Sequence, residues 1–283
     1  MSAEARDTVE ESRCALDPQR LRAGLTWPSG PLARLSVVAE SASTNSDALA
    51  ALRSSSPPPH LSAFVADHQT AGRGRAGRTW ETPAGTSMTA SIVLRPEVAR
   101  SAFGWVPMLV GLAAVRAFAA LGIAARLKWP NDVVVETDDV DDIPGWGTER
   151  KIAGILCEVE DSAVVAGIGI NVSQDRDELP VAHATSAFLA GALSLDREAL
   201  LGRVVRELDA LITAWERDPS SVRDLVEPVC STIGRDVVVD VPGAAPLTGR
   251  AVGLSVEGGL ELRLNDGELR AVLAGDVRVR SVG

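Results

Sequence analysis

Residues 72–80, which read GRGRAGRTW, place three glycines and three arginines within nine positions. Glycine lets main-chain N–H groups come close to an anion, and arginine donates charge-assisted hydrogen bonds to carboxylates and phosphates. The stretch therefore predicts either a loop that closes over an anionic ligand or a solvated basic loop without a ligand. Trp80, at its end, could stack on a nucleotide base or anchor the loop.

The same stretch matches the dinucleotide-binding pattern G-x-G-x-x-G through Gly72, Gly74 and Gly77. That pattern needs a helix directly after the glycines, because the pyrophosphate sits on the helix N-terminus. The residues that follow read TWETPAGTSMTAS, in which Pro83 and Gly85 oppose a helix. The sequence therefore disfavours a dinucleotide fold.

Residues 128–133, KWPNDV, place a lysine, an amide and a carboxylate at a strand-turn-strand junction. Phosphoryl or nucleotidyl transfer needs positive charge on the phosphates and a carboxylate for Mg²⁺, which Lys128 and Asp132 could supply. Residues 167–171, GIGIN, leave room for a flat ligand and end in the amide of Asn171. Taken singly, the two stretches could equally be a hairpin turn and a buried strand weakened by glycine.

The elements that must position these residues follow from hydrophobic periodicity. A strand near residue 35 leads into a helix capped by Ser43, Thr44 or Asn45. Further strands are predicted at 61–67 and 86–96, a buried helix at 105–122, an antiparallel meander over 125–173, and helices at 196–215 and 221–230.

Both ends of the chain differ from its middle in composition and in hydrophobic pattern. Residues 1–30 form a polar leader, which we expect to be flexible apart from a short helix around residues 16–25. From residue 233 onward, short alternating strands separated by glycine turns predict a small β-barrel, with a domain boundary near residue 232.

Composition limits the classes of partner. The formal net charge of −10 over 283 residues argues against a general nucleic-acid binder. The three cysteines are widely spaced, which predicts neither disulfides nor a zinc site, and we expect Cys157 to be a buried packing residue. His60, His68 and His183 form no ligand pair and are expected to be loop or packing residues. With no signal peptide and no long apolar run, we expect a cytoplasmic protein without membrane or nucleic-acid partners.

Five segments together resemble the biotin-protein ligase family in order and in spacing. They are STN (43–45), DHQTAGRGRAGRTW (67–80), KWPNDV (128–133), KIAGILCE (151–158) and GIGINV (167–172). The resemblance implies an α+β fold: a class II synthetase-like catalytic domain with a mixed or antiparallel sheet flanked by helices, followed by an SH3-like β-barrel. The corresponding domains would be residues 31–232 and 233–283.

The resemblance also implies the reaction. The carboxylate of biotin attacks the α-phosphate of ATP, with Mg²⁺, to give biotinyl-5′-AMP, and a lysine of a carrier domain then attacks this acyl-adenylate. The implied partner is the biotin carboxyl carrier domain of an acyl-CoA carboxylase. We expect a monofunctional ligase without an N-terminal DNA-binding domain, as a monomer or weak homodimer.

Residue roles carry over from the matched motifs. Lys151, Arg75, Asp132 and Lys128 would be catalytic, and Asp132 would also be the metal ligand. The implied biotin-binding residues are Ser43, Thr44, Asn45, Gln69, Gly72, Arg73, Arg75, Lys151, Gly154 and Gly167. The implied ATP and adenylate residues are Arg73, Arg75, Arg78, Trp80, Lys128, Asn131, Asp132 and Asn171.

Two other functions fit parts of the pattern. A lipoate or octanoate ligase would share the fold and the acyl-adenylate chemistry, although the arginine-glycine stretch favours biotin. A non-catalytic biotin or adenylate sensor would have less need of Lys128, Asp132 and Lys151, because binding alone does not require several groups directed at phosphates. Pyrophosphate release would separate an enzyme from a sensor.

Overall fold

The computed structural model describes residues 9–10, 12–137 and 142–279. Seven of the first nine strands form one sheet in the order β1-β2-β5-β9-β8-β7-β6. Strands β1 and β2 pair in parallel and the other neighbours are antiparallel, which confirms the predicted mixed sheet. In chain order the strands are β1 (Arg34–Ser41), β2 (Ser62–Gln69), β3 (Gly72–Arg73), β4 (Thr79–Trp80), β5 (Ser87–Leu94), β6 (Ala125–Lys128), β7 (Asp132–Glu136), β8 (Glu149–Glu160) and β9 (Ala163–Asn171).

Helices cover both faces of this sheet. They are α1 (Pro18–Leu25), α2 (Thr44–Leu52), α3 (Val106–Ala119), α4 (Arg197–Arg217) and α5 (Val222–Val226). On one face, Ala48 of α2 packs with Val93 and Val165 of the sheet. On the other face, α3 lies against the sheet and α4 packs over α3, which confirms the predicted buried helix.

The segment Arg100–Ala119, which ends with α3, is the one helical stretch among the described residues with the length and apolar character of a membrane span. Within the fold, 67% of its most apolar window is buried. Gly111 lets the helix approach the sheet closely, since a Cβ there would lie 2.5 Å from Leu127.

The described part of the leader packs against strand β2 and helix α4. Asp17 caps α1 by accepting from the N–H groups of its first turn, and Leu21 and Leu25 are buried. Arg197 of α4 donates to the Asp67 carboxylate at 2.6 Å and to the Cys14 carbonyl at 2.6 Å. Helix α1 confirms the helix predicted around residues 16–25, whereas residues 1–8 and residue 11 of the leader lie outside the described residues.

The C-terminal residues form a five-stranded antiparallel sheet, in the order β13-β12-β11-β10-β14. Two tryptophans from the preceding residues donate hydrogen bonds to it: Trp105 Nε1 donates to the Val256 carbonyl, and Trp129 Nε1 donates to the Gly258 carbonyl. Its strands are β10 (Asp236–Asp240), β11 (Leu247–Leu254), β12 (Leu260–Leu264), β13 (Leu269–Val272) and β14 (Asp276–Val279). This fold agrees with the β-rich C-terminal region predicted from the sequence.

Candidate functional site

A cavity of about 700 Å³ lies between the β8–β9 surface, the β3–β4 hairpin, the β6–β7 turn and the C-terminal sheet. It brings together fifteen of the sixteen residues that the sequence singled out: Ser43, Thr44, Asn45, Gln69, Arg73, Arg75, Arg78, Trp80, Lys128, Asn131, Asp132, Lys151, Gly154, Gly167 and Asn171. The sixteenth, Gly72, lines a smaller adjoining cavity, which shares Gln69 and Trp80 with the first. Its place in the biotin site is therefore not supported by the cavity geometry.

Lys151 faces the cavity because of an irregularity in strand β8. The pairing of β7 with β8 shifts between Val133 and Val134, so that Ile152 has no partner on β7. A bulge of this kind changes which face the side chains of a strand point to. Lys151 Nζ consequently lies 2.6 Å from Asp132 Oδ1, and both side chains are largely buried, with 21% and 16% exposed.

The three arginines of the hairpin each contact a different partner. Arg73 pairs with Glu158 at 2.8 Å, and Arg78 pairs with Asp276. Arg75 donates to Asn131 Oδ1 at 3.2 Å and to the Gly275 carbonyl at 3.2 Å. Two of the three therefore join the glycine-rich stretch to the C-terminal sheet.

The stretch that the sequence predicted as a loop is a short hairpin. Strands β3 and β4 pair through Gly72 with Trp80 and through Arg73 with Thr79. A single 3-10 turn connects them, with Ala76 at φ 52 and Gly77 at φ 73. No α-helix opens after it, in agreement with the argument against a dinucleotide site.

Trp80 lies directly on the glycines of the sheet. A Cβ on Gly169 would be 2.5 Å from the Trp80 ring, and a Cβ on Gly154 would be 3.1 Å from it. Only residues without a side chain fit beneath the indole at these positions. Lys151 Nζ lies 5.6 Å from the centre of the Trp80 ring, so the aromatic face and the Lys151–Asp132 pair border the same space.

The start of helix α2 forms a polar end of the cavity. Thr44 donates to Gln69 Oε1 from its N–H at 2.8 Å and from its hydroxyl at 3.0 Å. Asn45 donates to the Leu156 carbonyl at 3.0 Å and to Glu158 at 2.8 Å. Gly167 is required beside it, because a Cβ there would lie 2.1 Å from Asn45 Oδ1.

Two residues that the sequence did not assign also line this cavity. The Trp146 indole stacks on the His183 ring at 4.2 Å, and Lys128 Nζ lies 3.5 Å from the Trp146 ring centre. His183, expected to be a packing residue, is thus both a packing and a cavity residue. The one signal in the sequence was a large aromatic side chain, Trp146, within a polar insertion.

Burial changes the ionisation of this cluster. It lowers the pKa of Lys128 to about 8, opposed by the nearby carboxylates of Glu149 and Asp132. Burial, with Lys151 nearby, lowers the pKa of His183 to about 4, so its ring is neutral at physiological pH. Burial also raises the pKa of Cys157 to about 12, consistent with the expected packing role rather than a reactive thiol.

Comparisons with known proteins match both parts of the chain. Residues 38–175 match the model of the Biotin/lipoate A/B protein ligase family, and residues 232–280 match the Biotin protein ligase C terminal domain. The chain is 35% identical over 270 residues to the Biotin--[acetyl-CoA-carboxylase] ligase of Mycobacterium tuberculosis, covering 94% of this chain and 96% of that protein. It is 38% identical over 150 residues to the ligase of the same name from Paracoccus denitrificans, covering 50% and 55% of the two chains.

Solved structures show the same likeness. The biotin protein ligase of Aquifex aeolicus in complex with biotin and ATP superposes with a TM-score of 0.71 at 27% identity, covering 88% of this chain and 99% of that one. Fold, cavity and sequence thus agree, and we conclude that this chain belongs to the biotin protein ligase family.

Proposed function

We propose that the cavity joins biotin to ATP as biotinyl-5′-AMP and then delivers the biotinyl group to a lysine of a carboxylase carrier domain. The observation that carries the proposal is the Lys151–Asp132 pair, which lies in one cavity with Lys128 and the three hairpin arginines. The reaction must bring a carboxylate and a triphosphate together, and a cluster of fixed cations lowers the repulsion between them.

In the first step an oxygen of the biotin carboxylate forms a bond to the α-phosphorus. The bond from that phosphorus to the oxygen bridging to the β-phosphate breaks, and pyrophosphate leaves. Lys151 would lie between the carboxylate and the α-phosphate, because its ammonium borders both the Trp80 ring, at 5.6 Å, and Asp132, at 2.6 Å. Lys128 and Asn131, with the hairpin arginines, would hold the remaining phosphate oxygens.

In the second step the amine of the carrier lysine attacks the acyl carbon of biotinyl-5′-AMP. The acyl C–O bond breaks, AMP leaves with its electron pair, and the amine loses a proton. The adenylate is a mixed anhydride that water would hydrolyse, so the β3–β4 hairpin must cover it until the carrier arrives.

The polar end of the cavity would hold the ureido ring of biotin. A buried ureido group needs partners for both its N–H donors and its carbonyl acceptor, and Ser43, Thr44 and Gln69 offer hydroxyl and amide groups there. Asn45 donates to Leu156 and Glu158, and its side chain also shapes the space above Gly167. Trp80 would pack against the adenine, and Asn171 would lie near it.

Mg²⁺ fits this site as part of the nucleotide substrate. Among the described residues there is no group of three His, Cys, Asp or Glu side chains that could hold a metal ion. Mg²⁺ commonly binds through one or two carboxylates together with substrate phosphates, and Asp132 is the carboxylate beside Lys151. Asp132 would accept the ion once Lys151 turns to the nucleotide.

The acceptor that we propose is the biotin carboxyl carrier domain of an acyl-CoA carboxylase. The names of the Mycobacterium and Paracoccus relatives specify acetyl-CoA carboxylase as the protein to which biotin is joined. We further propose a cytoplasmic enzyme that acts as a monomer or weak homodimer.

ATP–pyrophosphate exchange by the purified protein tests the proposal, with biotin, lipoate or octanoate as the activating acid. We expect exchange with biotin alone. Exchange with lipoate or octanoate would assign the cavity to the rival acid. Tight biotin binding without exchange would make the protein a sensor rather than a ligase.

A further inference from the structure

The leader contacts a loop that forms one wall of the cavity. Arg13 donates to both carboxylate oxygens of Glu178, from Nη1 at 2.9 Å and from Nη2 at 2.6 Å. It also donates to Ser173, from Nε to the hydroxyl at 3.2 Å and from Nη2 to the carbonyl at 2.7 Å. One guanidinium therefore holds both the start and the middle of residues 173–184, which we name the wall loop.

The wall loop is next to the reacting groups. Pro180, Val181 and His183 line the cavity, and Lys151 donates its backbone N–H to the His183 carbonyl at 2.7 Å. The loop contains one short 3-10 turn, Arg176–Glu178, in which Glu178 also accepts from the Asp175 N–H. Within the loop, Arg176 donates to the Ala182 and Ala184 carbonyls, and Arg13 adds the contact that joins the loop to the leader.

Arg13 itself is fixed by the fold. Arg197, whose side chain is 2% exposed, donates hydrogen bonds to the Asp67 carboxylate and to the Cys14 carbonyl. Cys14 is the residue that follows Arg13 in the chain. The Leu16 N–H donates to the same Asp67 carboxylate at 3.2 Å. Arg13 therefore extends from a rigid base, and its bidentate bond transmits that rigidity to the wall loop.

We propose that Arg13 is a positioning residue, which holds the wall loop in its ligand-binding geometry before biotin or ATP arrives. A loop that is already ordered loses less conformational entropy when a ligand binds, so the ligand binds more tightly and dissociates more slowly. The hydrogen bonds from Arg13 lower the pKa of Glu178, which keeps the pair charged at neutral pH.

The effect on ligands rests on the proposed function, whereas the effect on the loop does not. We therefore compare Arg13→Ala and Glu178→Gln with the wild type by hydrogen–deuterium exchange of residues 173–184 without any ligand. The dissociation rate of biotinyl-5′-AMP and the KM and kcat for ATP are measured on the same proteins.

Arg20→Ala is the matched control. Arg20 is also a leader arginine with carboxylate partners, Asp196 and Glu198, but these belong to the cap and first turn of α4 and not to the wall loop. We expect Arg20→Ala to behave as the wild type. Arg13→Lys keeps the charge but cannot form the bidentate bond, so the exchange rate of its wall loop should lie between those of the wild type and Arg13→Ala.

We expect faster hydrogen–deuterium exchange in the wall loop of Arg13→Ala. Biotinyl-5′-AMP should dissociate about three- to tenfold faster, and KM for ATP should rise with a smaller change in kcat. The double variant Arg13→Ala/Glu178→Gln should resemble Arg13→Ala, because that substitution already removes the contact with Glu178, and Glu178→Gln alone should have the smaller effect because it leaves the Arg13–Ser173 bonds in place. Unchanged hydrogen–deuterium exchange in residues 173–184 of Arg13→Ala would overturn the proposal, whatever the activity shows.

If the wild type catalysed no pyrophosphate exchange, the proposed function would be rejected. The hydrogen–deuterium exchange of the wall loop would still decide whether Arg13 holds that loop.

Discussion

Lys151 Nζ lies 2.6 Å from Asp132 Oδ1, across the neighbouring strands β8 and β7. The two side chains are largely buried, and a buried charge without a partner destabilises a protein strongly. Each side chain therefore holds the other in place before substrates bind. In the proposed reaction, this position of the ammonium lies between the biotin carboxylate and the α-phosphate.

Replacing Lys151 with glutamine should lower the rate of biotin-dependent pyrophosphate exchange by about 10²–10³-fold, because a fixed positive charge aimed at the developing negative charge is lost. Lys151→Arg should retain part of the rate. Arg53→Ala is a suitable control, since Arg53 pairs with Glu160 at the far, exposed end of the same strand. If Lys151→Gln exchanged pyrophosphate at the wild-type rate, Lys151 would have no catalytic role.

Arg75→Gly should release biotinyl-5′-AMP into solution. In the structure Arg75 joins the β3–β4 hairpin to Asn131 and to the Gly275 carbonyl. Its loss removes both hydrogen bonds, so the hairpin that covers the cavity is held less firmly. The escaped adenylate should then label lysines of bystander proteins such as serum albumin, detected with streptavidin. The prediction fails if labelling of the bystander stays at the level produced by the wild type.

The pKa of Lys128 leads to a prediction about pH. Burial lowers it to about 8, so the side chain is cationic below that pH and neutral above it. If its charge helps to hold the triphosphate, kcat/KM for ATP should fall as pH rises through about 8. Lys128→Arg stays charged and should remove that fall, whereas an identical fall in this variant would assign the titration to another group.

The same shift affects stability with a definite sign. Between pH 8 and the ordinary lysine pKa of 10.5, the unfolded chain binds more protons at this position than the folded chain does. The contribution of Lys128 therefore makes the free energy of unfolding rise with pH in that window. Urea denaturation of the wild type and Lys128→Met at several pH values should show a flatter pH dependence for the variant.

Much of the site was predictable because its residues lie at the ends of strongly patterned elements. Ser43, one of the three cap residues that the sequence offered, caps α2, and the glycines at 167 and 169 lie on a strand whose apolar run is evident. These features depend on neighbours in sequence, which a single chain displays.

The contacts between distant segments were not predictable. Arg75 meets Gly275 at a separation of 200 residues, and Trp146 meets His183 between two loops without periodic pattern. The β8 bulge, which directs Lys151 to the cavity, depends on how β7 pairs with it and has no local signal. Strand periodicity alone cannot fix which of two adjacent residues faces a cavity beside such a bulge.

Gly169→Ala should weaken ATP binding while the fold persists. The new methyl would lie 2.5 Å from the Trp80 ring, so the indole must leave its position on the sheet, and with it the surface proposed for adenine. We expect KM for ATP to rise by about tenfold, as the loss of one aromatic contact of about 1.4 kcal/mol implies, together with a change in tryptophan fluorescence. Gly24→Ala is the control, since nothing lies within 4 Å of its Cβ and helix α1 should be slightly stabilised. An unchanged KM in Gly169→Ala, with the fluorescence change present, would show that Trp80 does not contact the nucleotide.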